Sequence, residues 1–277
     1  MINPISPLIQ AKDLATLSKS ENLVLVDVSN GKNAFENYQR QHLDKAMFVD
    51  LNTDLADIKD DFAKGGRHPL PTLSKFSEVL SKLSITKESH VVVYDDKNAS
   101  NAAARFWWML RAIGHEKVQV LDGGFQEALK VGFPVNSKEF VPNPAEIYPI
   151  QSWQLPVASM DEVEKASQDN NAIVIDVRDA ERYRGEKEPI DLVAGHIPGA
   201  INIPFTENLD ENGLFLSPKE LKEKYLSAFN GVASENIIIH CGSGVTACHT
   251  LLAIATAGLK IPKLYVGSWS EWSRNRL

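Results

Sequence analysis

Short β-branched apolar runs alternate along this chain with segments of helical period. "NLVLVDV" (22–28), "VVVY" (91–94) and "VQVLD" (118–122) are short runs rich in β-branched and other apolar residues and read as strands buried on both faces. "LSKFSEVLSKL" (73–83) and "ASNAAARFWWMLRAIG" (99–114) repeat apolar residues at helical spacing, and Gly114 supplies a stop for the second. "SPKELKEKYLSAF" (217–229) opens with Ser217 as N-cap, Pro218 at the first helical position and Glu220 three residues on, which predicts a capping box. Strands alternating with helices predict an α/β fold with a mainly parallel sheet flanked by helices. Such sheets bind ligands beyond the carboxyl ends of their strands.

The pattern runs through the chain twice. "LVLVDV" (23–28) matches "AIVIDV" (172–177), and "QHLDKAMFVDL" (41–51) matches "GHIPGAINIPF" (195–205). "HVVVYDDKNAS" (90–100) lies over "NIIIHCGSGVT" (236–246), and "VLDGGFQEAL" (120–129) over "LYVGSWSEWS" (264–273). The order is the same in both halves, so the chain reads as a tandem repeat of one domain. Residues 1–135 form the first copy and 152–277 the second. Pro142, Pro144 and Pro149 make 136–151 an extended linker in this reading, with an ordered strap as the alternative. Each half carries an insertion of its own, "DDFAKGGRHPLP" (60–71) and "ERYRGEKEPIDLVA" (181–194), of the kind that often serves function.

Composition narrows the classes. The 277 residues are 43% hydrophobic with a net charge of −7, which suits globular domains and argues against nucleic acid as a partner. No apolar run is long enough to span a membrane, and "MINPISPLIQAKDLATL" lacks the features of a signal peptide. The expected location is cytoplasmic. The two cysteines, Cys241 and Cys248, have no metal-site spacing, and about 10 Å of helix between them rules out a disulfide. Both are expected free, as in a reducing compartment.

The chemistry concentrates in "IIIHCGSGVTAC" (237–248). A strand ends at His240, and a helix begins near Val245. Gly242 and Gly244 let the backbone between them curl, so that successive N–H groups face one concavity at the positive end of the helix. Such a loop holds an accessible cysteine sulfur as a reactive anion. Cys248, inside an apolar helix, reads as a core residue. The residue aligned with Cys241 in the first half is Asp95, in "DDKNAS", so the first copy is expected to be catalytically silent. His42 and His196 begin matching segments in both halves and read as fold residues. Arg178 reads as a structural ion-pair partner, and Trp269 and Trp272 as core.

"GHIPGAINIPF", "CGSGVTAC" and "GSWSEW" together make the chain resemble the two-domain rhodanese family of sulfurtransferases over nearly its whole length. The resemblance implies two rhodanese-like domains and sulfur transfer through a persulfide on Cys241, with no cofactor. "CGSGVT" is similar to the 3-mercaptopyruvate branch of the family, and the alternative sulfur donor is thiosulfate. Cyanide or a thiol, including a thioredoxin-like dithiol, is the implied acceptor. By the same resemblance, Ser243 and His68 take part in proton transfer, and the accompanying aspartate position falls on Asn52. Arg182 binds the donor together with the loop residues Gly242, Gly244, Val245 and Thr246. The second arginine of the pattern falls near Ile190, and Arg184 is the residue at hand to replace it. Two rival readings are a phosphatase and a non-enzymatic sulfur-carrier or protein-binding module. The phosphatase loop C-x5-R needs an arginine at position 247, which is Ala247 here.

Overall fold

The computed structural model describes residues 5–18, 20–100 and 102–277. Residues 1–4, at the head of the segment tested for a signal peptide, and Asn101, inside the helix expected over 99–114, lie outside the described residues. The chain divides into two compact units. The first runs to Leu55 and resumes over Pro71–Gln154; the second joins Ala56–Leu70 to Leu155–Leu277.

In the first unit the strands are β1 (Leu8–Ile9), β2 (Leu23–Asp27), β3 (His42–Leu43), β4 (Met47–Phe48), β5 (His90–Tyr94), β6 (Val118–Leu121) and β7 (Val135–Asn136). The helices are α1 (Ala11–Leu17), α2 (Ala34–Arg40), α3 (Leu73–Lys82), α4 (Ala103–Ala112) and α5 (Gly124–Lys130). Five strands form one parallel sheet in the order β1-β6-β5-β2-β4, while β3 and β7 pair antiparallel beside it. β5 and β6 are buried nearly throughout; the one polar residue inside β6, Gln119, donates to Ser6 O and Leu8 O at 2.9 and 3.1 Å. α3 starts where Thr72 accepts the Lys75 N–H at 3.2 Å. α4 starts four residues later than its apolar pattern suggests. The preceding loop curls around the Asp95 carboxylate, which accepts the N–H groups of Lys97, Ala99 and Ala103 at 2.9, 2.9 and 3.2 Å.

In the second unit the strands are β8 (Ile173–Asp176), β9 (Ile201–Asn202), β10 (Ile237–His240) and β11 (Lys263–Leu264). The helices are α6 (Met160–Ala166), α7 (Ala180–Tyr183), α8 (Pro218–Phe229), α9 (Thr246–Thr256) and α10 (Ser268–Asn275). The sheet is again parallel, in the order β11-β10-β8-β9, and a parallel bridge between Val157 and Leu264 stands where β1 stands in the first unit. The repeat in sequence is therefore a repeat in topology. α8 has the expected capping box, with Ser217 Oγ accepting the Glu220 N–H and Glu220 accepting the Ser217 N–H. The core of this unit includes Val174, Ile238, Tyr265, Trp269 and Trp272; burying each large apolar side chain stabilises the fold by about 1.5–3 kcal/mol.

Two expectations about boundaries change. The segment 56–70, placed by sequence in the first copy, is held in the second unit. Gly65 N–H donates to Glu271 at 2.8 Å, and Arg67 N–H donates to Ser270 Oγ at 3.1 Å. The segment expected as a linker over 136–151 is extended, as its prolines dictate, yet it is laid down as an ordered strap on the first unit. Ala145 N–H donates to Ser81 O at 3.0 Å, and Tyr148, 5% exposed, meets His115 Nδ1 through its hydroxyl at 3.0 Å. Apolar and hydrogen-bonding partners along the strap outweigh its lack of regular structure.

The paired histidines do serve the fold. His42 stacks on Tyr38 at 4.0 Å and 16°, and His196 on Tyr183 at 4.0 Å and 20°; each Nδ1 meets the carbonyl of the tyrosine it stacks on. Trp269 and Trp272 lie in the core, and Cys248 is buried inside α9 with its thiol donating to Gly244 O at 3.4 Å.

Candidate active site

β10 delivers Cys241 to the carboxyl edge of the second sheet, where Gly242 to Val245 curl into α9. Gly244 has φ +73°, and a Cβ there would lie 2.6 Å from Val266 O, so only glycine fits. The loop is tied to α10. Cys241 O and Gly242 O accept the N–H groups of Trp269 and Ser270 at 3.0 and 2.9 Å, and the Cys241 N–H donates to Ser268 Oγ at 3.2 Å. Ser268 itself sits at φ +54° and donates to Tyr265 O at 2.8 Å. Among the described residues, the N–H groups of Gly242, Ser243, Val245 and Thr246 donate to no protein acceptor. They form a cradle at the start of α9, suited to an anion.

His68 and Ser243 come together, with His68 Nδ1 2.8 Å from Ser243 Oγ. Arg182 also reaches the loop: a Cβ on Gly242 would stand 3.4 Å from its Nη2. That point lies only 3.0 Å from Nη2 of Arg67, a residue that sequence reasoning did not single out. Its one signal was adjacency to His68 in "GRHPLP". Arg184, the replacement considered for the second arginine, points elsewhere; it is half-exposed and paired with Glu186 at 2.7 Å. Ile190 is 56% exposed.

One expectation fails. The sulfur was to be accessible, and Cys241 is 1% exposed. The arginines beside Gly242 are held there by buried carboxylates. Arg182 binds Glu188 at 2.8 Å and Asp191 at 3.5 Å, and Arg67 forms an ion pair with Asp191. Arg274 lies 3.5 Å from the same carboxylate. Burial pushes the Glu188 carboxyl up, but its bonds to Arg182 and to the N–H groups of Asp191 and Ile190 outweigh that and hold it below the ordinary value. Arg178 is structural: it binds Asp176 at 2.6 Å, Glu188 at 3.2 Å and Gly195 O at 2.7 Å, and lies over the Trp269 ring. Beneath the loop, burial holds the His240 imidazole below its ordinary pKa, with Nδ1 3.2 Å from Cys241 O.

Residues 10–130 and 159–275 match the family of the rhodanese-like domain. The chain belongs to the rhodanese family. It is 36% identical over 271 residues to a probable 3-mercaptopyruvate sulfurtransferase of Pseudomonas aeruginosa, covering 96% of this chain and 94% of that one. It is also 36% identical over 247 residues to a thiosulfate sulfurtransferase of Rattus norvegicus, covering 88% and 81%. The solved 3-mercaptopyruvate sulfurtransferase from Leishmania major superposes with a TM-score of 0.84 at 28% identity, over 97% of this chain and 74% of that one. This rhodanese chain has, among its described residues, no helix long and apolar enough to cross a membrane. Nor do those described residues place three or more His, Cys, Asp or Glu side chains where they could hold a metal ion.

Proposed function

We propose that this rhodanese-family chain transfers sulfur from 3-mercaptopyruvate to a thiophilic acceptor through a persulfide on Cys241. The observation that carries the reading is the cysteine beside a cradle of N–H groups, with the His68–Ser243 pair and the Arg182 guanidinium converging on the same loop. The Cys241 thiolate attacks the sulfur of the donor, and an S–S bond forms as the C–S bond breaks. The electron pair of that bond goes to carbon as the pyruvate enolate, which takes up one proton through Ser243 and His68. Pyruvate leaves, and the outer sulfur of the Cys241 persulfide remains in the cradle of the Gly242, Ser243, Val245 and Thr246 N–H groups, which the turn at Gly244 shapes. Cyanide or a thiol, with a thioredoxin-like dithiol as a fitting partner, then takes that sulfur and restores the thiolate. Arg182 holds the donor carboxylate by a two-pronged contact. To reach the donor, the Arg182 guanidinium turns from Glu188. Two free buried cysteines suit a reducing compartment such as the cytoplasm.

Thiosulfate as donor is the second reading, favoured by the match to the rat enzyme and by the number of cations near the loop. Intact-mass measurement after brief treatment with 3-mercaptopyruvate tests the first. One added sulfur on wild type and none on Cys241→Ser is expected. A serine variant that still releases pyruvate at the wild-type rate ends the proposal.

A further inference from the structure

Two guanidinium groups, those of Arg67 and Arg182, lie within 3.4 Å of the point where a Gly242 Cβ would be. Cations so close to the reactive loop would ordinarily favour the most highly charged sulfur donor. Here they are already matched. The Asp191 carboxylate, with no exposed side-chain surface, pairs with Arg67 and lies 3.5 Å from Arg182, while Glu188 takes the other side of Arg182. Arg274 also lies 3.5 Å from Asp191, so three cations face two anions, and a donor arrives at a loop whose positive charge is largely cancelled. The carboxylates differ in their other duties. Glu188 also binds Arg178 and accepts the N–H groups of Ile190 and Asp191, which fold its own segment. Among the described residues, the Asp191 side chain binds arginines alone: Arg67, Arg182 and Arg274.

We propose that Asp191 is the charge filter of the site, a specificity residue that sets the preference for a singly charged donor over a doubly charged one. This rests on the sulfurtransferase reading above. A 3-mercaptopyruvate molecule brings one carboxylate charge, and one guanidinium freed from its partner answers it. Thiosulfate brings two negative charges. While Asp191 stays beside Arg67, the second charge meets a carboxylate as well as a guanidinium, and in a partly buried site that repulsion is only weakly screened. Removing the Asp191 charge leaves one more cation unmatched at the loop, which helps a dianion more than a monoanion.

The measurement is the ratio of kcat/KM for thiosulfate to that for 3-mercaptopyruvate across a charge series. Asp191→Asn adds one positive charge and should raise the ratio on the order of tenfold. Arg67→Gln removes one and should lower it by a similar factor. The double variant restores the wild-type charge and should return the ratio to near the wild-type value. If Asp191→Asn does not fold, the fall in Arg67→Gln and its recovery in the double variant still carry the test. A merely structural Asp191 would weaken both donors together and leave the ratio still. A ratio that does not follow charge, or a double variant that stays with Arg67→Gln, overturns the filter. Failure of both donors to place sulfur on wild-type Cys241 would instead overturn the sulfurtransferase reading itself.

Discussion

Nδ1 of His68 lies 2.8 Å from Oγ of Ser243, joining residues that are 175 positions apart in sequence within one unit. A hydroxyl held by an imidazole can pass a proton without either group leaving its place, which the enolate formed on C–S cleavage requires. Ser243→Ala and His68→Gln should each lower kcat with 3-mercaptopyruvate on the order of a hundredfold while KM changes little. Since the two act as one relay, the double variant should be scarcely slower than either single one. Steady-state pyruvate release measures all three. Losses that multiply in the double variant would show two independent roles and dismiss the relay.

The shape of the cradle depends on Gly244. Alanine there would need φ +73° and would bring its Cβ to 2.6 Å from Val266 O, a contact neither backbone can relieve. At the other end of α9, Gly258 has φ +71° with nothing within 4 Å of its would-be Cβ. Gly258→Ala should therefore cost only the conformational strain, about 1 kcal/mol, and leave persulfide formation intact. Gly244→Ala should cost about 3 kcal/mol or more and abolish it. Urea unfolding together with intact mass separates the two. Equal costs at the two glycines would mean that Val266 does not constrain the loop.

What could be read in advance was local. The capping box of Ser217 and Glu220, the buried runs of β5 and β6, and the glycine loop after Cys241 all depend on residues within a few positions of one another. The repeat was legible because each copy states the same local pattern. What escaped was long-range. Arg67 meets Asp191 across 124 positions, and nothing in either neighbourhood announces the other. The strap over 136–151 looked like a linker because its prolines are local while its partners, Ser81 and His115, are not. The late start of α4 came from Asp95, whose carboxylate captures N–H groups that the apolar pattern had assigned to the helix.

Asp95, which takes the place of Cys241 in the first copy, fills its own loop with a carboxylate, and this gives stability a pH dependence. Burial is the largest influence on it and raises its pKa from 3.8 to about 6, against the pull of the N–H groups of Lys97, Ala103 and Ala99. Between those two values the folded chain keeps the proton and the unfolded chain has lost it. Folding then binds a proton, and stability falls as pH rises through the window. A shift of this size amounts to about 3 kcal/mol, fully present below the unfolded value and gone above the folded one. Asp95→Asn cannot titrate. The stability of wild type relative to that variant, from urea unfolding between pH 4 and pH 7, should therefore fall by up to about 3 kcal/mol and level off above pH 6. If the gap instead stays constant or widens in favour of wild type with rising pH, the N–H groups outweigh burial, and Asp95 is a stabilised anion rather than a strained one.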